Sequence, residues 1–177
     1  MNLYEQQRSN RRKTWLILGA FVALLFAARG WTVWPAFTTF AVAFIVARML
    51  LGHLADRMGG AKVALTCLLI EAAGQALLWL APSSLIALIG AGLTGFGYSL
   101  VYPGFGVEAM RRAPADSRGL AMGAYTAFLD VALALASPAL GLIAAMSDIG
   151  MVFLASALSV LGAAPIALRL RHAPREN

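Results

Sequence analysis

Two carboxylates stand deep in apolar surroundings: Glu71 within the run 61–80 and Asp130 within the run 117–146. Each lies roughly ten residues from the nearest polar loop, which at about 1.5 Å of rise per helical residue is a depth of about 15 Å. An unpaired charge at the centre of a bilayer costs about 2.5–3.5 kcal/mol on insertion scales. A carboxyl group withdrawn from water favours its protonated form, and a group that takes up and releases a proton at depth is what proton-coupled movement of a solute needs. Gln75 stands one turn beyond Glu71 on the same helical face. The alternative for both acids is a neutral carboxyl group that hydrogen-bonds a neighbouring helix.

A second cluster is the stretch GHLADRMGGAK, from Gly52 to Lys62, a short charged loop with apolar sequence on both sides. Asp56, Arg57 and Lys62 supply charge, while glycines at 52, 59 and 60 are expected to permit close helix approach and a tight turn. Arg48, near the end of the apolar run before this loop, and Glu108, at the matching depth of another run, form a candidate ion pair. Arg57 is a second candidate partner for Glu108. Solvated, independent charges are the alternative.

The elements that hold these groups follow from composition. The chain has 177 residues, 60% of them hydrophobic and 12% charged, with a mean hydropathy of +0.77. A soluble domain is about half apolar and about a quarter charged, so the fold class is all-α integral membrane. A spanning helix takes about 20 apolar residues. Six spans are expected, at about 15–29, 34–54, 61–80, 85–110, 117–146 and 151–168. They form one transmembrane domain over 14–170, between a polar segment 1–13 and a tail 171–177. Asp116 or Ser117 is expected to cap the fifth span.

All but Arg29 and Arg48 of the fourteen Lys and Arg residues fall in four segments: the N-terminal segment, the Gly52–Lys62 loop, residues 111–118 and the basic C-terminal end that begins at Arg169. Basic residues are retained on the cytoplasmic side of short loops, so both termini are expected in the cytoplasm of a multi-pass protein. Trp31, Trp34 and Trp79 then fall at the outer interface and Trp15 at the inner one.

The net charge of +6 does not point to nucleic acid, because the basic residues lie between apolar runs and not on one soluble face. One cysteine, Cys67, excludes an intramolecular disulfide and a multi-cysteine metal site. His53 and His172 have no nucleophile or metal-ligand spacing around them, so neither an enzyme nor a metal site is expected. Small residues recur at helical spacing: Gly92, Gly95, Ser99, Pro103 and Gly106 in the fourth span, and Gly123, Thr126, Asp130, Ala134, Ser137 and Gly141 in the fifth. Such stripes let helices pack closely in lipid. Pro103 and Pro138 favour kinks. Tyr98, Tyr102, Tyr125 and Phe128 are candidate lining for a path taken by an amphiphilic molecule, with lipid-facing or core packing as the alternative.

The loop resembles the cytoplasmic motif G-x-x-x-D-R/K-x-G-R/K-R/K of the major facilitator superfamily of secondary transporters, through Gly52, Asp56, Arg57 and Gly59. Gly60 and Ala61 stand where basic residues are usual, and Lys62 follows. The segments GLTGFGYSLVYPGFGVEAMRR and SRGLAMGAYTAFLDVALALASPALG are similar to the tenth and eleventh helices of bacterial efflux members, especially the YhhS-like branch. The resemblance implies that residues from about Leu18 onward correspond to helices seven to twelve, the C-terminal half of a fold whose two halves rock about a midplane site.

It further implies export of a small organic molecule as an antiporter in the bacterial inner membrane, driven by the proton gradient with no other cofactor. Asp56 would favour a helix N-terminus or Arg118, and Arg57 would favour Glu108, each holding one closed state. The chain is then a fragment, a truncated product, or a half-size protein that pairs with a second six-helix half or another copy of itself. The competing function is a non-transporting remnant or an assembly partner in the membrane.

Overall fold

The structure, a computed structural model, describes residues 23, 24 and 26–172. Residues 23, 24 and 26–28 are helical and end in a turn at Gly30, with positive φ. The expected first span at 15–29, Trp15 and the basic residues of 1–13 therefore lie largely outside the described residues. Six helices follow: α1 (Val33–Leu51), α2 (Leu54–Met58), α3 (Gly60–Leu80), α4 (Ser84–Arg112), α5 (Arg118–Met146) and α6 (Gly150–His172). All but α2 are long and apolar enough to cross a membrane, and the described residues contain no strand. The chain is an all-α, multi-pass membrane protein.

Successive long helices run antiparallel, so their connections gather at two ends. At the Trp31 end, Arg29 joins three segments. Its guanidinium donates to the Ala81 carbonyl at the C-terminus of α3 and, at 3.4 Å, to that of Trp79, and it stacks over the Trp31 ring at 5.3 Å. A cation is favourable where unsatisfied carbonyls end a helix. There too, Asp148 caps α6 by accepting from the Gly150 N–H at 2.9 Å. At the opposite, Asp56 end lie the α1–α3 and α4–α5 connections. The guanidinium of Arg112 donates to the Leu170 carbonyl in the last turn of α6 at 2.5 Å.

The core lies between α1, α3, α4 and α6, in two apolar layers. Phe26, Phe40, Leu78, Ala87, Ala91 and Phe153 fill the layer near the Trp31 end. Val63, Cys67 and Leu100 fill the layer toward Asp56, with Cys67 packing as a small hydrophobe. Between them, Glu71, Gln75 and Thr94 form a buried polar level.

Helix α4 organises this core through two opposite faces. At about 100° per residue, Gly90, Thr94, Gly97, Gly104 and Glu108 share one face, which packs on α3. A Cβ at Gly97 would lie 2.5 Å from the Cys67 carbonyl oxygen and 2.6 Å from the Glu71 nitrogen, so the two backbones are in contact there. The other face carries Gly92 and Gly95 against Thr39 and Phe40 of α1, then Gly106 against Tyr125 of α5. The small-residue stripe of the fourth span thus serves two neighbours in turn.

The corresponding stripe on α5 behaves differently. That helix has no buried residue, and a Cβ at Gly123 or Gly141 would meet nothing within 4 Å. Within the described residues these two glycines of the stripe pack against no neighbour, while Thr126 meets the Tyr102 hydroxyl of α4 at 3.4 Å. The expected cap is also absent: the Ser117 hydroxyl donates to the Pro114 carbonyl at 3.3 Å, and no side chain caps α5.

Candidate functional site

The Gly52–Lys62 stretch is more helical than a plain loop. The expected span 34–54 stops at Leu51, where Gly52 still donates its N–H to the Arg48 carbonyl at 3.1 Å. Leu54–Met58 then forms one further turn, α2, and Gly60 to Lys62 already belong to α3. The reversal rests on Gly59 alone, at φ 94°, a conformation that L side chains rarely adopt. Gly60 serves packing, not the turn, since a Cβ there would collide with the Gly104 carbonyl oxygen. Among the described residues, Gly52 brings no neighbouring helix closer; its nearest obstacle would be the Arg48 carbonyl of its own helix, at 2.5 Å.

Asp56, Arg57 and Lys62 are exposed on this turn. Arg111, from the end of α4, donates to the Asp56 backbone carbonyl at 2.6 Å and so ties α2 to α4. Beside this tie lies a groove of about 440 Å³ between α2, α4 and α5. Asp56, Arg111 and Arg118 line its charged part, and Tyr102, Val107 and Met122 line its apolar part. Asp56 and Arg118 thus line a shared space.

The Glu108 pairing differs from expectation. Glu108 is 3% exposed and forms its ion pair with Arg112, at 2.8 Å and one turn away on the same helix, in place of Arg48 or Arg57. A buried carboxylate takes the partner that costs least to order, and an i, i+4 arginine is already held alongside by the helix. Arg48 instead donates to the Ser99 carbonyl at 3.0 Å.

Of the aromatic candidates, Tyr102 and Tyr125 come together. Their rings stack with centroids 5.1 Å apart, and the Tyr125 hydroxyl donates to the Tyr102 carbonyl at 2.9 Å. The Tyr102 hydroxyl lies 3.4 Å from that of Thr126, which itself donates to the Met122 carbonyl, so Tyr102 is the donor to Thr126. Tyr98 faces Phe44 of α1, with ring centroids 6.3 Å apart. Phe128 lies outside this group and is 76% exposed.

The two intramembrane acids sit on different helices on opposite sides of α4. Glu71 is buried at 5% exposure, where α3 presses on Gly97. The Gln75 amide donates to its carboxylate at 3.3 Å, while the Gln75 Oε1 is buried without a hydrogen-bond partner among the described residues. Asp130 is half-buried on α5. Sequence reasoning missed the Arg112 and Arg111 ties and the Arg29 clasp. For Arg112 the signal was present as an i, i+4 Glu–Arg spacing, whereas the other two reach carbonyls distant in sequence.

Comparison with known proteins gives the context of this arrangement. A protein from Salmonella typhimurium named an uncharacterized MFS-type transporter is 46% identical over 157 residues, 88% of this chain and 40% of its own length. A similarly named Pseudomonas aeruginosa protein is 41% identical over 159 residues, 89% of this chain and 40% of that protein. One from Burkholderia mallei is 41% identical over 152 residues, 85% and 37% of the two chains. The chain spans about two fifths of the length of the curated relatives it matches. No solved structure matches. The Major Facilitator Superfamily model matches residues 15–177, nearly the whole chain, and this protein belongs to that superfamily of transporters.

Proposed function

We propose that this chain forms the C-terminal six-helix half, helices seven to twelve, of a twelve-helix carrier of the YhhS-like branch. The carrier exports a small organic molecule across the bacterial inner membrane in exchange for protons, with both termini and the Asp56 end in the cytoplasm. The observation that carries the reading is α5: a 29-residue apolar helix with no buried residue, in a chain that matches only two fifths of its relatives' length. A helix with Asp130 and open glycines on its surface is suited to pack against a second six-helix half.

In this reading the groove at the Asp56 end is the cytoplasmic gate, with Asp56, Arg57, Lys62 and Arg118 setting the balance between closed and open states. Tyr98, Tyr102 and Tyr125 contribute to the path wall. Glu71, steadied by Gln75, and Asp130 are the proton-carrying groups. The test is proton-driven flux by the carrier reconstituted with its other half. Glu71→Gln and Asp130→Asn should each abolish that flux while leaving insertion intact, and unchanged flux in both would remove the proton-coupling assignment.

A further inference from the structure

Pro103 interrupts α4 at a definite place. A residue at this position would ordinarily donate its N–H to the carbonyl four residues earlier, that of Ser99; proline has no N–H, and its ring crowds that carbonyl. Ser99 is 1% exposed, and a buried carbonyl left without a donor is costly. The guanidinium of Arg48, in the last turn of α1, donates to this same oxygen at 3.0 Å.

The location gives the interruption a consequence. Before it, the face of α4 holding Gly92 and Gly95 lies on α1; after it, the same face carries Gly106 against Tyr125 of α5. The segment beyond Pro103 also lines the groove, through Val107, Met110 and Arg111. The helix is therefore weakened where it passes from one neighbour to the next, and the replacement donor comes from the neighbour being left.

We infer that Arg48 is a positioning residue: it supplies from α1 the hydrogen bond that Pro103 removes from α4, and thereby sets the course of the groove-lining part of α4. The pairing makes a specific demand, because restoring an N–H at position 103 should make Arg48 dispensable.

The test uses thiol labelling of Met110→Cys in a Cys67→Ala background, in membranes of cells expressing the native gene product. Arg48→Met should change the labelling rate about tenfold, the scale of a lost hydrogen bond to a charged donor. Adding Pro103→Ala should bring the rate back to within about twofold of the parent, and Arg48→Gln, which keeps a donor, should stay near the parent. Unchanged labelling in Arg48→Met, additive effects in the double variant, or Arg48→Gln behaving like Arg48→Met would each overturn the inference. Should Arg48→Met fail to reach the membrane, recovery of its abundance by Pro103→Ala supports the pairing, and continued loss overturns it.

Discussion

Replacing Gly97 with alanine adds one methyl group where α3 and α4 have no room for it. The new Cβ would lie 2.5 Å from the Cys67 carbonyl oxygen, 2.6 Å from the Glu71 nitrogen and 2.7 Å from the Glu71 Cβ. Ordinary contact begins near 3.4 Å, so the helices must part by roughly 0.9 Å. A radial gap of about 0.5–1 Å forfeits a quarter to a half of each dispersion contact, and overpacking of this kind costs about 1–3 kcal/mol. Alanine's better helix propensity returns about 1 kcal/mol, which leaves a net loss of up to about 2 kcal/mol relative to the parent and a deficit of about 1–3 kcal/mol relative to an alanine with the same propensity gain and no clash. Gly123→Ala is the control, since its Cβ meets nothing within 4 Å and only the propensity gain applies. Reversible unfolding of the purified protein in mixed detergent micelles, followed by circular dichroism, should place Gly97→Ala below the parent and Gly123→Ala at or above it. Equal stability of the two variants would refute the close contact between α3 and α4.

Asp56→Asn should lower transport without changing membrane abundance, because it removes the charge facing Arg118 across the groove; equal transport at equal abundance, measured by flux against immunoblot, would count against a gate. Arg112→Met leaves the buried Glu108 without its cation and should cost about 3 kcal/mol in the same unfolding assay. The double variant Glu108→Gln Arg112→Met should lose less than Arg112→Met alone, since no uncompensated charge remains.

Much of the fold was legible because length and hydropathy alone mark a spanning helix, and five such helices lie among the described residues. The faces of those helices were harder to read. Small residues occur nearly all round α4, and a helix apolar on every side has no stripe to orient it. Sequence spacing therefore picked out Gly92, Gly95, Ser99 and Gly106, while Gly90, Gly97 and Gly104, which form the contact with α3, passed unnoticed. Charge pairing was less legible still. Glu108 had three arginines within plausible reach, and only the backbone geometry selects Arg112. Arg48 and Arg111 went to backbone carbonyls, acceptors that every residue carries and no sequence motif marks.

The measurement that bears most directly on the half-carrier account is the accessibility of α5 in its native membrane. Gly123→Cys and Gly141→Cys, each in a Cys67→Ala background, are labelled with a lipid-soluble thiol reagent and compared with Leu158→Cys, at a position 61% exposed on α6. If a second six-helix half covers α5, both cysteines should react at least about tenfold more slowly than the one at 158, as expected of closely packed small-residue faces in lipid. Labelling of all three at the same rate would mean that α5 faces lipid alone, and would contradict the account.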